Sequence, residues 1–296
     1  MELIINNLSK TYTNGVKALS GVSLEISKGM FGLLGPNGAG KSTLMRTIAT
    51  LQKADQGTIT LGDIDVLKEQ NTVRKMLGYL PQEFGVYPKI SAEVLLNHLA
   101  VLKGITHKNE RKEIVQALLH KTNLYEHRKK NLGGYSGGMK QRFGIAQALL
   151  ANPSLIIVDE PTAGLDPAER NRFYNLLSEL GEQAVVILST HIVDDVKELC
   201  TDMAIINRGE VLLKGNPKEA ITQLEGKVYR KTIEKQELQS HKQEYKIIAE
   251  KFLQGKPMIH ILSETHPRNG FEPIQTDLED VYFSHIFGNI STHSAN

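Results

Sequence analysis

Met30-Phe31-Gly32-Leu33-Leu34-Gly35-Pro36-Asn37-Gly38-Ala39-Gly40-Lys41-Ser42-Thr43 is the stretch that decides the fold. Its first five residues form a short apolar run that reads as a buried strand. Gly35 to Ser42 then matches G-x-x-x-x-G-K-[ST] at every fixed position, and a helix-like segment follows from Ser42. Each residue type has a physical reason. Glycines let backbone N–H groups close around phosphate oxygens, and the start of the following helix adds partial positive charge. Lys41 is expected to reach the β- and γ-phosphates of a nucleotide, and the Ser42 hydroxyl to coordinate Mg²⁺. Without the flanking strand and helix the same residues would read as a Gly-rich turn with an exposed lysine.

Downstream, Leu155 to Val158 and Ala184 to Leu188 are Ile- and Val-rich runs separated by a helix-length segment. This is the βαβ rhythm of a buried parallel sheet. Asp159 and Glu160 end the first run, where open α/β sheets bind ligands. Asp159 suits a Mg²⁺-holding acid acting through water, and Glu160 a general base that polarises the attacking water. The plainer reading is a strand meeting solvent at two acids, and the upstream phosphate loop weighs against it.

The rest of the chain supplies context. Leu3-Ile4-Ile5 and the alternating Val22 to Ile26 predict strands near the N-terminus. Ser91 predicts an N-cap, with Val94, Leu95, His98, Leu99 and Leu102 on the apolar face of the helix that follows. Ile114, Val115, Leu118 and Leu119 mark a second helix, and Gly133-Gly134 breaks the region. Met203 to Ile206, Asn207-Arg208-Gly209-Glu210 and Val211 to Leu213 read as a hairpin. Beyond Lys214-Gly215-Asn216-Pro217 only short β-like runs (Val228 to Ile233, Met258 to Leu262) and a helical piece near Leu278 stand out.

Composition bounds the function. The 296 residues are 40% apolar and 23% charged, with 35 basic against 33 acidic side chains. That balance is far from a dedicated nucleic-acid binder, and Arg128-Lys129-Lys130 reads as solvated surface. A single cysteine, Cys200, excludes an internal disulfide and reads as a small buried hydrophobe. No apolar run approaches the length of a membrane span, and Met1-Glu2-Leu3 lacks the features of a signal peptide. The expectation is a cytoplasmic protein.

Tyr135-Ser136-Gly137-Gly138-Met139 narrows the class. Ser-Gly-Gly opening a helix is a second anion site, which one phosphate group does not need from the same chain. A second chain docked head to tail could offer its Ser136 segment to the first chain's nucleotide. In isolation the tripeptide reads as an N-capped helix after a glycine hinge.

With these motifs in order, residues 1–216 resemble the ATP-binding cassette (ABC) family of transporter ATPases, Tyr135 standing where the family more usually has Leu. The resemblance implies an α/β P-loop NTPase cassette with a mostly parallel core sheet. It also implies an N-terminal antiparallel β part and a helical subdomain inserted at about residues 88–140. Residues 217–296 would form a small C-terminal α+β accessory domain. The implied activity is ATP hydrolysis with Mg²⁺. ATP would be bound by Tyr12 on adenine and by Gly35, Pro36, Asn37, Gly38, Ala39, Gly40, Lys41, Ser42 and Thr43. Ser42, Gln82 and Asp159 would serve the metal, while Glu160, His191 and Lys41 serve the chemistry. Ser136, Gly137 and Gly138 would act in trans, and Asp166, in Gly164-Leu165-Asp166-Pro167, would cross the dimer interface.

The resemblance also implies a pair of cassettes, as a homodimer or with a second cassette, beneath a separate transmembrane permease. The permease would contact the groove near Gln82 and the segment Glu83 to Ile90, holding the chain on the inner face of the membrane. Thr276-Asp277-Leu278-Glu279-Asp280-Val281-Tyr282-Phe283 resembles the ending of ABC-2-type exporter ATPases, which points to export of a drug, peptide or polysaccharide. An importer ATPase, a soluble ABC ATPase acting on ribosomes or DNA, and a cassette that binds ATP without turnover are the alternatives. One cassette, no long heptad stretch and near-neutral charge weigh against the ribosome or DNA reading, so no nucleic-acid partner is expected.

Overall fold

The structure is a computed structural model that describes residues 1–82, 85, 87–161 and 165–288. The chain begins with β1 (Leu3–Thr11), β2 (Lys17–Ile26), β3 (Gly29–Leu34), α1 (Lys41–Ile48), β4 (Gln56–Leu61), β5 (Ile64–Asp65), α2 (Gln70–Met76) and β6 (Leu77–Leu80). It continues through α3 (Ala92–Leu102), α4 (Lys108–Lys121), α5 (Gly137–Ala148), β7 (Leu155–Asp159), α6 (Pro167–Gly181), β8 (Val185–Thr190) and α7 (Val193–Leu199). The remainder is β9 (Asp202–Asn207), β10 (Glu210–Gly215), α8 (Pro217–Gln223), β11 (Val228–Thr232), α9 (Leu238–Glu244), β12 (Ile247–Leu253), β13 (Lys256–Leu262), β14 (Glu272–Pro273) and α10 (Leu278–Gly288).

The central sheet runs β10-β9-β3-β8-β7-β6. All neighbours from β9 to β6 are parallel, and β10 joins the edge antiparallel through the expected hairpin. β7 and β8 are buried at every position, as the unbroken apolar runs require of strands covered on both faces. Parallel register has a functional consequence. Leu34 pairs with Thr190, Ser189 with Asp159, and Val158 with Leu80, so four strands end together at one edge. The segments after them, Gly35, Gln82, Glu160 and His191, emerge side by side. The N-terminal antiparallel sheet, β2-β1-β4-β5, shares an apolar core with the inner face of the central sheet through Leu3, Ile5, Leu24, Leu33 and Ile187.

Ser91 caps α3 through Val94 N, and of the predicted inward face Leu95 and Leu99 pack on the helical core while Val94, His98 and Leu102 do not. Ala92, Leu95, Leu96 and Ala100 are buried, whereas Val94 is 47% and Leu102 82% exposed. The helix is apolar nearly all round, so its periodicity does not select a side. Ala92 and Ala100, lacking bulk, turn toward Val115, Leu119 and Phe143 of α4 and α5.

The C-terminal region forms an antiparallel sheet, β12-β13-β11-β14, which adds β12 and the short helices α8 and α9 to the elements foreseen. Leu278, Val281 and Tyr282 of α10 lie in one core with Leu34, Val196, Met203, Ile205 and Ala220. Full burial of side chains of this size is worth about 1.5–3 kcal/mol each. His260 on β13 hydrogen-bonds the buried Asp280 of α10 at 2.9 Å and ties the sheet to that helix.

Candidate functional site

The phosphate loop leaves β3 at Leu34 and enters α1 at Lys41. Gly40 occupies the N-cap position of α1 with φ 107 and no side-chain cap, so the first helical N–H groups are unclaimed by side chains. A Cβ at Gly40 would lie 2.4 Å from the Ala18 carbonyl. Gly38 also has positive φ, 80°, but a Cβ there would meet nothing within 4 Å, which leaves its front open to a ligand. Lys41 is buried and donates to the carbonyls of Gly35 at 2.6 Å and Pro36 at 3.2 Å. Burial pushes its pKa below the usual lysine value, opposed by the charges of Glu160 and Asp159.

Asp159 closes β7, and burial raises its pKa. The Ser189 and Ser42 hydroxyls and Lys41 pull the other way, while Glu160 raises it further; Ser189 lacks the geometry of a full hydrogen bond. Glu160 has φ 47, a left-handed conformation for a non-glycine, and its N–H donates to Ser189 O at 2.8 Å. Its carboxylate is the hub of the site. Gln82 Nε2 donates to Oε2 at 2.8 Å, His191 Nδ1 lies 3.1 Å from Oε1, and Lys41 Nζ is 3.9 Å away. Gln82, Glu160 and His191, far apart in the chain, therefore converge as the ends of β6, β7 and β8 require.

Among the described residues no three His, Cys, Asp or Glu side chains could hold a metal by themselves. Mg²⁺ commonly takes one or two carboxylates, substrate phosphates and water. A buried carboxylate beside the Ser42 hydroxyl and the phosphate loop fits that pattern, and Gln82 keeps its carbonyl oxygen outside its bond to Glu160.

Tyr12 is 37% exposed at the same face. Its hydroxyl lies 3.0 Å from Thr43 Oγ1 and donates to Gln52 Oε1 at 3.0 Å, which moors the ring beside the first turn of α1. Ser136 and Asp166 do not hydrogen-bond this cluster among the described residues. Ser136 caps α5 through Met139 N at 3.2 Å, and Asp166 caps α6 through Glu169 N at 2.8 Å. Tyr135, at the variant position, is buried in the helical core with its hydroxyl on His127 O. Gly164, and Glu83, Phe84 and Val86 of the expected permease contact, lie outside the described residues. Cys200 is partly covered, and burial with the nearby Asp195 raises its thiol pKa.

Sequence reasoning missed the support behind His191. Asp195, in the pair Asp194-Asp195, is fully buried and bonded to α6. No local pattern marks it.

The ABC transporter family model matches residues 19–163. The linearmycin resistance ATP-binding protein LnrL of Bacillus subtilis (strain 168) is 37% identical over 223 residues, 74% of this chain and 71% of that one. The daunorubicin/doxorubicin resistance ATP-binding protein DrrA of Streptomyces peucetius is 32% identical over 264 residues, covering 88% of this chain and 77% of its own. Further relatives are named for lipopolysaccharide export and for methionine import. Among solved structures, the dimeric bacterial ABC transporter cassette MJ0796 is similar with TM-score 0.66 and 28% identity, over 72% of this chain and 98% of that one.

Proposed function

This chain belongs to the ABC transporter ATP-binding proteins, and on that premise we propose that it drives export through a separate ABC-2-type membrane permease. It is an ATPase subunit, an ATP-binding and ATP-hydrolysing domain of the family. The observation that carries the catalytic part is the Glu160 carboxylate, reached by Gln82, His191 and Lys41 beside an open phosphate loop.

In this reading Lys41 leaves the Gly35 and Pro36 carbonyls for the β- and γ-phosphates, exchanging neutral acceptors for charged ones. Backbone N–H groups from Gly38 to Thr43 cradle the phosphate chain, and Tyr12 stacks on adenine. Ser42, Asp159 and Gln82 would hold Mg²⁺, which would supply positive charge against that developing on the phosphates. Glu160 orients a water and takes its proton, and His191 contacts the γ-phosphate. Ser136, Gly137 and Gly138 face the nucleotide of a second cassette, with Asp166 at the seam. Such a pair is self-complementary; ATP holds it closed by touching both sides, and hydrolysis removes that difference in binding.

Export is supported by the resistance-named relatives, one aligned over 264 residues, and by α10, formed by the Leu278 to Phe283 ending. We divide the chain into a cassette, 1–216, and a C-terminal accessory domain, 217–296. The permease would seat in the groove near Gln82 and the segment Glu83 to Ile90; a groove of about 330 Å³ lined by Arg74, Tyr79, Leu99 and Leu102 lies at β6, the strand that leads to Gln82. No described helix is long and apolar enough to cross a membrane, so attachment to the inner face would run through that partner. The relative named for methionine import favours the competing reading.

The test is purification of the full chain from its native membranes, followed by transport in vesicles. A polytopic protein in complex, with ATP-driven movement of cargo away from the chain's side of the membrane, supports the proposal. Movement toward that side would make it an importer, and ribosomes or DNA as the partner would overturn a transport role.

A further inference from the structure

Thr190, the residue before His191, is 1% exposed, and both its hydroxyl and its carbonyl are hydrogen-bonded. Its hydroxyl accepts from Ile192 N at 2.9 Å and donates to Asp195 Oδ2 at 3.0 Å. Its carbonyl accepts from Gly35 N, the first residue of the phosphate loop, at 3.4 Å. The backbone on both sides of His191 is thus clamped by one hydroxyl, and that hydroxyl is held by one carboxylate. Asp195 is fully buried on α7, and its Oδ1 accepts from Arg170 Nη2 and Tyr174 Oη of α6. Arg170 Nε donates to Tyr174 Oη at 2.6 Å, so the two α6 side chains act as a unit.

Stability alone does not account for this arrangement. A buried ion pair replaced by well-packed apolar groups is often neutral or stabilising. What the charged network adds is direction: two donors from α6 converge on Oδ1 of a carboxylate whose Oδ2 accepts from Thr190. His191 itself is 44% exposed, with Glu160 as the hydrogen-bond partner of its Nδ1. The reach of its imidazole is therefore set by the backbone at 190–192. The helix at the other end of the network, α6, starts at Pro167, directly after Asp166, and its Glu169 pairs with Arg142 of α5 at 3.2 Å.

We propose that Asp195 is a positioning residue for ATP hydrolysis, holding His191 in register through Thr190 and tying that register to α6. The proposal rests on the reading of His191 as the γ-phosphate contact. α6 then relays its own seating, next to Asp166, to the histidine of the same chain.

The experiment compares Thr190→Val, Thr190→Ser, Asp195→Asn and His191→Ala in the full chain. It reads kcat and KM for Mg-ATP, affinity for a fluorescent ATP analogue, and melting temperature. Misplacing a catalytic group by about 1 Å costs on the order of a hundredfold. Thr190→Val, which keeps the shape but cuts the link to Asp195, is therefore expected to lower kcat about ten- to a hundredfold with nucleotide affinity unchanged. Thr190→Ser restores the hydroxyl and turnover, and Asp195→Asn falls with Thr190→Val. Normal kcat in Thr190→Val while His191→Ala is impaired overturns the proposal and leaves the His191 reading standing. Loss of kcat in Thr190→Ser as deep as in Thr190→Val also overturns it. Normal turnover in His191→Ala removes the reading of His191, and this proposal with it.

Discussion

Glu160→Gln isolates the chemistry from the architecture. The amide has the shape of the carboxylate it replaces and keeps one acceptor for either Gln82 or His191, which lie 2.8 and 3.1 Å from the two carboxylate oxygens. What disappears is a charge 3.9 Å from Lys41. At an effective dielectric constant of about 20 the gross attraction at that distance is about 4 kcal/mol, and desolvation of both groups offsets much of it. The same charge opposes incoming phosphates, so ATP affinity is expected to stay level or rise. Turnover responds differently. A positioned general base contributes about 10²–10⁴ in rate, which corresponds to about 3–5 kcal/mol on the barrier. The assay is phosphate release at saturating Mg-ATP, with size-exclusion chromatography of the same sample. Slow release together with an ATP-bound dimer is the expected pair of results. Turnover close to wild type would refute Glu160 as the base, and a weakened ATP affinity would refute the electrostatic account of its neighbourhood.

Asp159→Asn tests the metal position. Burial raises the Asp159 pKa, so the folded state binds this proton more tightly than the unfolded one. Stability from this group therefore falls as pH rises from the usual aspartate value through the raised one. Above that window Asn removes the penalty, and the nucleotide-free protein is expected to melt higher than wild type; Mg²⁺-dependent stabilisation by ATP should vanish. Gly38→Ala meets no atom within 4 Å but keeps φ at 80, so it should cost only about 1–2 kcal/mol of stability while its methyl blocks ATP, as read by titration calorimetry. Leu278→Ala empties a site shared with Leu34 and Met203, and is expected to cost about 2–5 kcal/mol. Calorimetry should show the cassette and tail shifting together, and a tail that melts alone would refute their common core.

The phosphate loop was legible because its geometry is local. Strand, glycines, lysine and helix follow one another from Met30 to Ile48, so sequence order nearly equals spatial order. The same holds for Asp159-Glu160 at the end of an unbroken apolar strand, and for the Asn207 to Glu210 hairpin, where Arg208 and Gly209 both take positive φ. Elements failed where local pattern underdetermines the environment. α3 offers apolar residues on every side, and β12, Ile247–Leu253, carries Glu250 and Lys251 in its middle, which hides its alternation.

Sequence by itself determined the family and the fold class, and it nominated the residues that could meet a nucleotide, since each lies in a short motif that carries its own backbone geometry. Tertiary structure decided how those residues meet. Parallel register at β6, β7 and β8 brings Gln82 and His191 onto the Glu160 carboxylate, and burial makes Asp195 the anchor of Thr190. It also decided that α10 completes the core over Leu34 and Met203. The physical reason is common to all three: which side chains share a dry, low-dielectric space depends on strand order and helix packing, and those follow from contacts between residues far apart in the chain.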